Sequence, residues 1–466
     1  MNGAGRSGLR LSALAAVLTM IHGCGTLPDQ GLAREAMARG DYETARTNYA
    51  PLAKDGYADS QAGMGDLTAS VGDPASLKEA EALYRRAAPT SAKAQSRLGR
   101  LLLRKGPTNP RQVQEARQLL EGALDNGEFS AVVPLTVLYL GYPQLTPGVD
   151  PQQKVDSWRA KGIVGVDLAQ ILIYRNQGTY NAHVLQIEQM CRVRLEVLHA
   201  CYVELALINR MRAQPKAQAD LLVQLRQAWH RKQVAPLRVE SVARVLSSPA
   251  LEGQADPQSA KRLLEELAPE YPPAWTSLAR LIDDYPAQGD APQLLSALQR
   301  GREARDPRAE LLTGRLYYLG KWLPQDPRLA QEHLLKAAAA GEFKAHYYLG
   351  QLYRRGYLGQ VEPQKALQHF LLAARNGSPN ADLALAHMFS EARGVKVNRI
   401  NAFVFAQLAQ RQGVVNAGPV LLAVQSGMTP AERKIAQPML EEEAQARLTG
   451  AALARLQTPE DAQDLL

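Results

Sequence analysis

The C-terminal third of this chain repeats every 36 residues, and that period limits the possible folds more than any other feature. Gly341, Gly377 and Gly413 are spaced by it, as are Ala309, Ala345 and Ala381. Leu316, Leu352 and Met388 form a further column, followed by Tyr317, Tyr353 and Phe389. In the second half of the unit Ala330, Ala366 and Ala402 recur, then Ala337, Ala373 and Ala409. Apolar residues within each unit sit at helical spacing in two blocks, parted by a Gly/Pro/Asp-rich break such as GKWLPQDP. Each unit therefore predicts two antiparallel helices. Small side chains let them approach closely, and the aromatic column is expected to fill the gap between neighbouring units.

These units resemble the tetratricopeptide repeat and, more narrowly, its Sel1-like variant. Ala345, Leu349-Gly350, Leu352-Tyr353 and Gly356, then Lys365-Ala366, Phe370, Ala373-Ala374 and Gly377, follow that pattern. Gly394-Val395, Asn398 and Asn401-Ala402 match its inter-helix loop, with Asn where Asp is usual. The resemblance implies an all-α fold, a right-handed superhelical solenoid of antiparallel helix pairs in which each unit packs against its neighbours. The same motif recurs with drift nearer the N-terminus, as Gly40-Asp41-Tyr42 to Gly56, Ala80 to Ala88, and Ala116 to Gly127. We expect N-terminal repeats over 30–145, degenerate helical repeats over 146–300 and regular repeats over 301–415. C-terminal helices and a tail over 416–466 complete the chain.

The first residues read as an address. Arg6 and Arg10 precede an apolar run, Leu11 to Ile21, too short to span a membrane, and Ile21-His22-Gly23-Cys24 follows. This resembles a lipobox, with His22 departing from its usual small residue. It implies a signal peptide over 1–23, acylation of Cys24, a short tether over 24–29 and, with Gly25 next, an outer-membrane address facing the periplasm. In that oxidising compartment Cys191 and Cys201 are expected to form a disulfide. One straight helix would hold residues ten apart at ~15 Å, so a bridge requires a turn between two helices; two buried thiols in one helix are the alternative.

A net charge of +8 over 466 residues, +6 once the two signal-peptide arginines leave, argues against a nucleic-acid partner. No HExxH, paired CxxC, GxSxG or Walker loop is present. His333 and His369 lie one period apart and are most simply structural. We therefore expect neither enzyme activity nor a cofactor or metal.

Anchor, Sel1-like units and missing chemistry together resemble the alginate-secretion outer-membrane lipoprotein family, AlgK. The family implies a periplasm-facing scaffold that helps place an outer-membrane alginate porin. It also implies docking of a periplasmic alginate-modifying protein of the acetyltransferase type. A Sel1-like adaptor of another envelope assembly is the alternative, and a helical polysaccharide lyase a more distant one. By the offsets of tetratricopeptide units, Leu349-Gly350 places Lys344, Tyr347, Gln351, Arg354 and Arg355 in a partner-binding groove. The offsets around Gly314 add Arg308, Arg315 and Tyr318, and those around Leu98-Gly99 add Lys93, Arg100 and Arg104. A basic stripe of this kind suits an acidic protein segment or an anionic polysaccharide. The following repeat breaks it, with Ala386, Ser390 and Glu391 at the same offsets.

Overall fold

The computed structural model describes residues 27–39, 41–70, 74–104, 110–391 and 395–456. Within them the chain forms 24 α-helices, four short 3-10 turns and no strand. None of the described helices is long and apolar enough to cross a membrane. The first helix runs Gln30–Arg39, opened by Asp29, whose carboxylate accepts from the N–H groups of Gly31 (2.6 Å) and Leu32 (3.1 Å).

The regular units are helix pairs: Pro307–Leu319 with Pro327–Ala339, Lys344–Arg355 with Pro363–Arg375, and Pro379–Ser390 with Arg399–Arg411. Their internal breaks follow from ordinary capping chemistry. Gly320 ends its helix in the left-handed region at φ 68°, and Asp326 opens the next by accepting from Arg328 N–H (2.9 Å) and Leu329 N–H (3.0 Å). Pro327 sits in the first turn, where its missing N–H costs nothing. Gly356 and Pro363 repeat the arrangement one unit on.

Close approach inside each pair has a definite partner. A Cβ on Gly314 would stand 2.7 Å from Leu334 Cγ, and one on Gly350 would stand 2.6 Å from Phe370 Cε1. In the third unit Ala386 takes the glycine position, and the matching residue of the second helix shrinks to Ala406; both are fully buried. The aromatic column also stacks within its own unit. Tyr317 lies on His333, Tyr353 on His369 and Phe389 on Phe405, each pair at 7° between planes with centroids 5.4–5.8 Å apart. The column also reaches between units, as expected for it: the Tyr353 hydroxyl accepts from Gln331 Nε2 of the preceding unit at 2.8 Å.

The middle of the chain keeps helix pairing but replaces the small-residue columns with buried polar anchors. Arg175 pairs with the buried Glu204 at 2.7 Å, and the Tyr180 hydroxyl donates to the same carboxylate at 3.0 Å. Arg210, also buried, donates to the carbonyls of Val245 (2.6 Å) and Leu251 (2.8 Å), pinning the loop after helix Pro236–Ser247. Cys191 lies in helix Val184–Arg194 and Cys201 opens helix Cys201–Met211. The turn between them brings their Cα atoms to 5.0 Å and joins the sulfurs in a disulfide. Closing so short a loop should stabilise the chain by roughly 2–3 kcal/mol. Denatured, non-reduced protein should therefore show no thiol label at either position, and Cys191→Ser with Cys201→Ser should lower the melting temperature. Two labelled thiols on exported protein would refute the bridge.

One buried apolar cluster runs from Ala62 to Ile173, the next from Ile171 to Leu316, and a third from Tyr318 to Leu440. Such a relay is what nearest-neighbour packing produces. One contact departs from it. The last helix, Pro430–Leu456, lies against helices Val132–Gly141 and Val166–Asn176, almost 300 residues back along the chain.

Candidate partner-binding groove

The eleven groove residues read from sequence separate into three groups in the structure. Lys93 and Arg100 lie half-buried on helix Ala92–Arg104; the side chain of Arg104, its last residue, is outside the described residues. Arg97, which the offsets missed, crosses to the preceding unit and pairs with Asp66 at 3.0 Å.

The second group is structural. Arg308 Nη1 stands 2.9 Å from Glu240, a fully buried carboxylate, and Nη2 stands 2.8 Å from Asp306. Burial works against the Arg308 charge, but Glu240 and Asp306 more than offset it and hold the guanidinium well above its ordinary pKa. Arg315 pairs with the buried Asp283, which also takes Lys321 Nζ at 2.7 Å and the Trp322 indole N–H at 2.9 Å. Arg308 and Arg315 are thus ion-pair links to the middle repeats. They do not form the open groove cations expected from the offsets, because Glu240 and Asp283, which lie in units outside the regular period, take them.

The third group forms a continuous face. Lys344 and Arg355 are exposed, Tyr347 and Arg354 are half-buried, and Gln351 is buried, accepting from Arg354 Nη2 at 2.9 Å. Tyr318 is buried beside them and meets two tyrosines that sequence reasoning passed over, Tyr348 at 5.7 Å and Tyr357 at 6.1 Å between centroids. Tyr347 meets Tyr348 edge-on at 5.4 Å. Arg355 donates to the Tyr357 hydroxyl at 3.0 Å. Tyr348 directly precedes the Leu349-Gly350 column, and Tyr357 follows Gly356 in the helix-ending position. Both lay in view once the face, and not one offset set, was followed.

The electrostatics of this face are simple. Burial raises the Tyr318 and Tyr348 phenols, while neighbouring arginines (Arg355 and Arg315 respectively) pull the other way, so both rings stay neutral. The Tyr357 hydrogen bond raises Arg355, which stays charged. Behind the face, His346 and His369 approach Nδ1 to Nδ1 at 2.9 Å. Burial, then His346 and Lys365, drive His369 down to about 4, so at neutral pH this pair adds no positive charge. What remains is four phenols in edge-on and tilted contact, flanked by Arg354 and Arg355, a surface suited to carboxylate-bearing groups with flat apolar faces. The face ends at the next unit, where His387 pairs with Glu391 at 2.6 Å. Cys24 lies outside the described residues.

The Sel1 repeat model matches residues 58–88, 92–128, 307–342, 343–378 and 379–414. The middle, where the generic columns blur, is matched over 183–268 by the AlgK tetratricopeptide repeat domain. The alginate biosynthesis protein AlgK of Pseudomonas aeruginosa is 52% identical over 93% of this chain and 91% of its own length. Its counterpart in Pseudomonas syringae pv. tomato is 46% identical over 97% of each chain. That of Azotobacter vinelandii is 44% identical over 94% of this chain and 95% of its own. Identity of this extent, with both repeat models in register on the observed helix pairs, establishes that the chain belongs to the AlgK family.

Proposed function

We propose that this protein is a non-catalytic scaffold of alginate biosynthesis, held at the periplasmic side of the outer membrane through acylated Cys24. It would help place the outer-membrane alginate porin and dock a periplasmic acetyltransferase-type protein by protein–protein contact. The names of its relatives support the alginate context. The observation that carries the docking role is the Tyr318–Tyr347–Tyr348–Tyr357 face with Lys344 and Arg355 exposed at its edge. Tyrosine and arginine are the residue types that dominate binding energy at interfaces.

Changing Lys344 and Arg355 together to Glu tests this reading. Both are exposed, so circular dichroism should be unchanged. Affinity for the periplasmic partner should fall at least about tenfold, since each lost charge-assisted contact is worth ~1.5–3 kcal/mol. The residual affinity should depend less on salt than in the wild type. Equal affinity and equal salt dependence would remove the docking role from this face.

A further inference from the structure

Residues 310, 346 and 382 hold one position of the first helix in successive regular units, and they read Glu, His and Asp. Residues 333, 369 and 405 hold the corresponding position of the second helix and read His, His and Phe. In the first unit these positions close as a pair, Glu310 on His333 Nδ1 at 2.6 Å. In the third, Phe405 stacks on Phe389, and the buried Asp382 accepts from Gln412 Nε2 at 2.9 Å. The middle unit sets imidazole against imidazole. His346 stands where its neighbours have a carboxylate, and meets His369 Nδ1 to Nδ1 at 2.9 Å.

That contact holds one proton. One ring donates its Nδ1–H, and the other must keep its hydrogen on Nε2 to accept. Two imidazoliums would set N–H against N–H, and the surroundings offer no relief for either charge. Glu310 and Glu332 of the preceding unit are engaged by His333 and Lys336. Asp382 and Glu391 of the following unit are engaged by Gln412 and His387, and Glu443 of the last helix by Arg375. Within the unit Glu362 pairs with Lys365, and Glu342 accepts from the Lys344 N–H at 3.4 Å. The rings themselves are covered by aromatic faces, Tyr353 on His369 and Phe343 against His346. Burial disfavours a charge on His346, and burial, then His346 and Lys365, disfavour one on His369.

We propose that the His346–His369 contact is an acid-sensitive joint of the solenoid: neutral, it closes unit 343–378, and proton uptake opens that unit. The first helix of the unit carries Tyr347, Tyr348 and Arg355, so opening the joint takes the tyrosine face apart. Once opened, both rings accept protons near their ordinary 6.5, whereas in the closed unit His369 resists down to about 4. The joint is therefore strongest above about 6.5 and weakens as the pH falls between those two values. A carboxylate at position 346 reverses the sign, because it favours the charged form of His369.

Hydrogen–deuterium exchange of the full chain at about pH 7 and about pH 5, corrected for the intrinsic rate at each, tests the joint. A proton bound only by the opened form is worth about tenfold per pH unit. Wild-type amides of Lys344–Arg355 and Pro363–Arg375 should thus open at least about tenfold more readily in acid. Helix Pro307–Leu319, whose unit is closed by Glu310 and His333, should not. His346→Glu, which copies that unit, should abolish the rise. Equal opening of the wild type at both pH values overturns the proposal, as does an equal rise in His346→Glu or in helix Pro307–Leu319. If His346→Glu fails to fold, nitrogen NMR of the wild-type histidine rings decides instead. Both rings should titrate below 6.5, and rings titrating at that ordinary value overturn the joint.

Discussion

Cys24→Ser should move nearly all of the protein from the membrane to the soluble periplasmic fraction and stop polymer export. Each buried acyl methylene contributes ~0.8 kcal/mol, and stable anchoring needs more than one chain, so loss of the acylated sulfur removes the whole of the anchoring energy. The fold should not notice. The first helix of the described residues starts at Gln30 and is opened by Asp29, six and five residues beyond the cysteine. The same short spacing explains why export should fail and not merely weaken. Gly25 to Asp29, fully extended, would reach ~17 Å, so an anchor at Cys24 would hold the first repeats close to the membrane and to the periplasmic turns of a barrel. Cell fractionation with a blot against the protein and against the porin reads both effects. A Cys24→Ser protein that stayed membrane-bound with normal export would refute the anchor.

Arg308→Met should cost about 3–5 kcal/mol, because it breaks a buried ion pair by removing one partner. Removing the guanidinium takes the cation from Glu240, a fully buried carboxylate that also accepts from the Ser277 hydroxyl at 2.5 Å. Because the pair links helix Pro307–Leu319 to helix Pro236–Ser247, the loss should appear as faster amide exchange in both, by about two orders of magnitude or more. Adding Glu240→Met should recover much of it, since an apolar pair of similar volume needs no desolvated charge. The effect should persist in high salt, which screens a buried pair poorly. A loss under about 1 kcal/mol would mean that water already reaches Glu240.

The regular repeats were legible because their physics is local and periodic. Gly350 against Phe370, Gly320 and Asp326 at the inter-helix break, and the His369 stack on Tyr353 all lie within one 36-residue unit. The turn demanded between Cys191 and Cys201 was equally local. What the sequence concealed is of longer range. Arg308 and Arg315 carried the right offsets for a groove, but their fates were set by Glu240 and Asp283, in repeats where no column marks the position. Tyr348 and Tyr357 joined the candidate face through contacts with Tyr318 of the preceding unit. The last helix meets helices Val132–Gly141 and Val166–Asn176 from the far end of the chain, and a repeat period describes neighbours alone.

The paired sizes at the closest helix approach set rules for how such a chain can be cut and rejoined. Gly314 goes with Leu334, Gly350 with Phe370 and Ala386 with Ala406, so the first and second helices of a unit are inherited as a matched set. A crossover inside a unit that placed a phenyl ring opposite Ala386 would force a methyl group into it, and one that set Gly350 against an alanine would leave a hole the size of a ring. Gly377 and Gly413 have positive φ and open space around them, and tolerate a new neighbour. Gene duplication or laboratory recombination that keeps its breakpoints at these glycines exchanges whole working cassettes. Breakpoints at the inter-helix loops produce mismatched halves from sequences that align perfectly well.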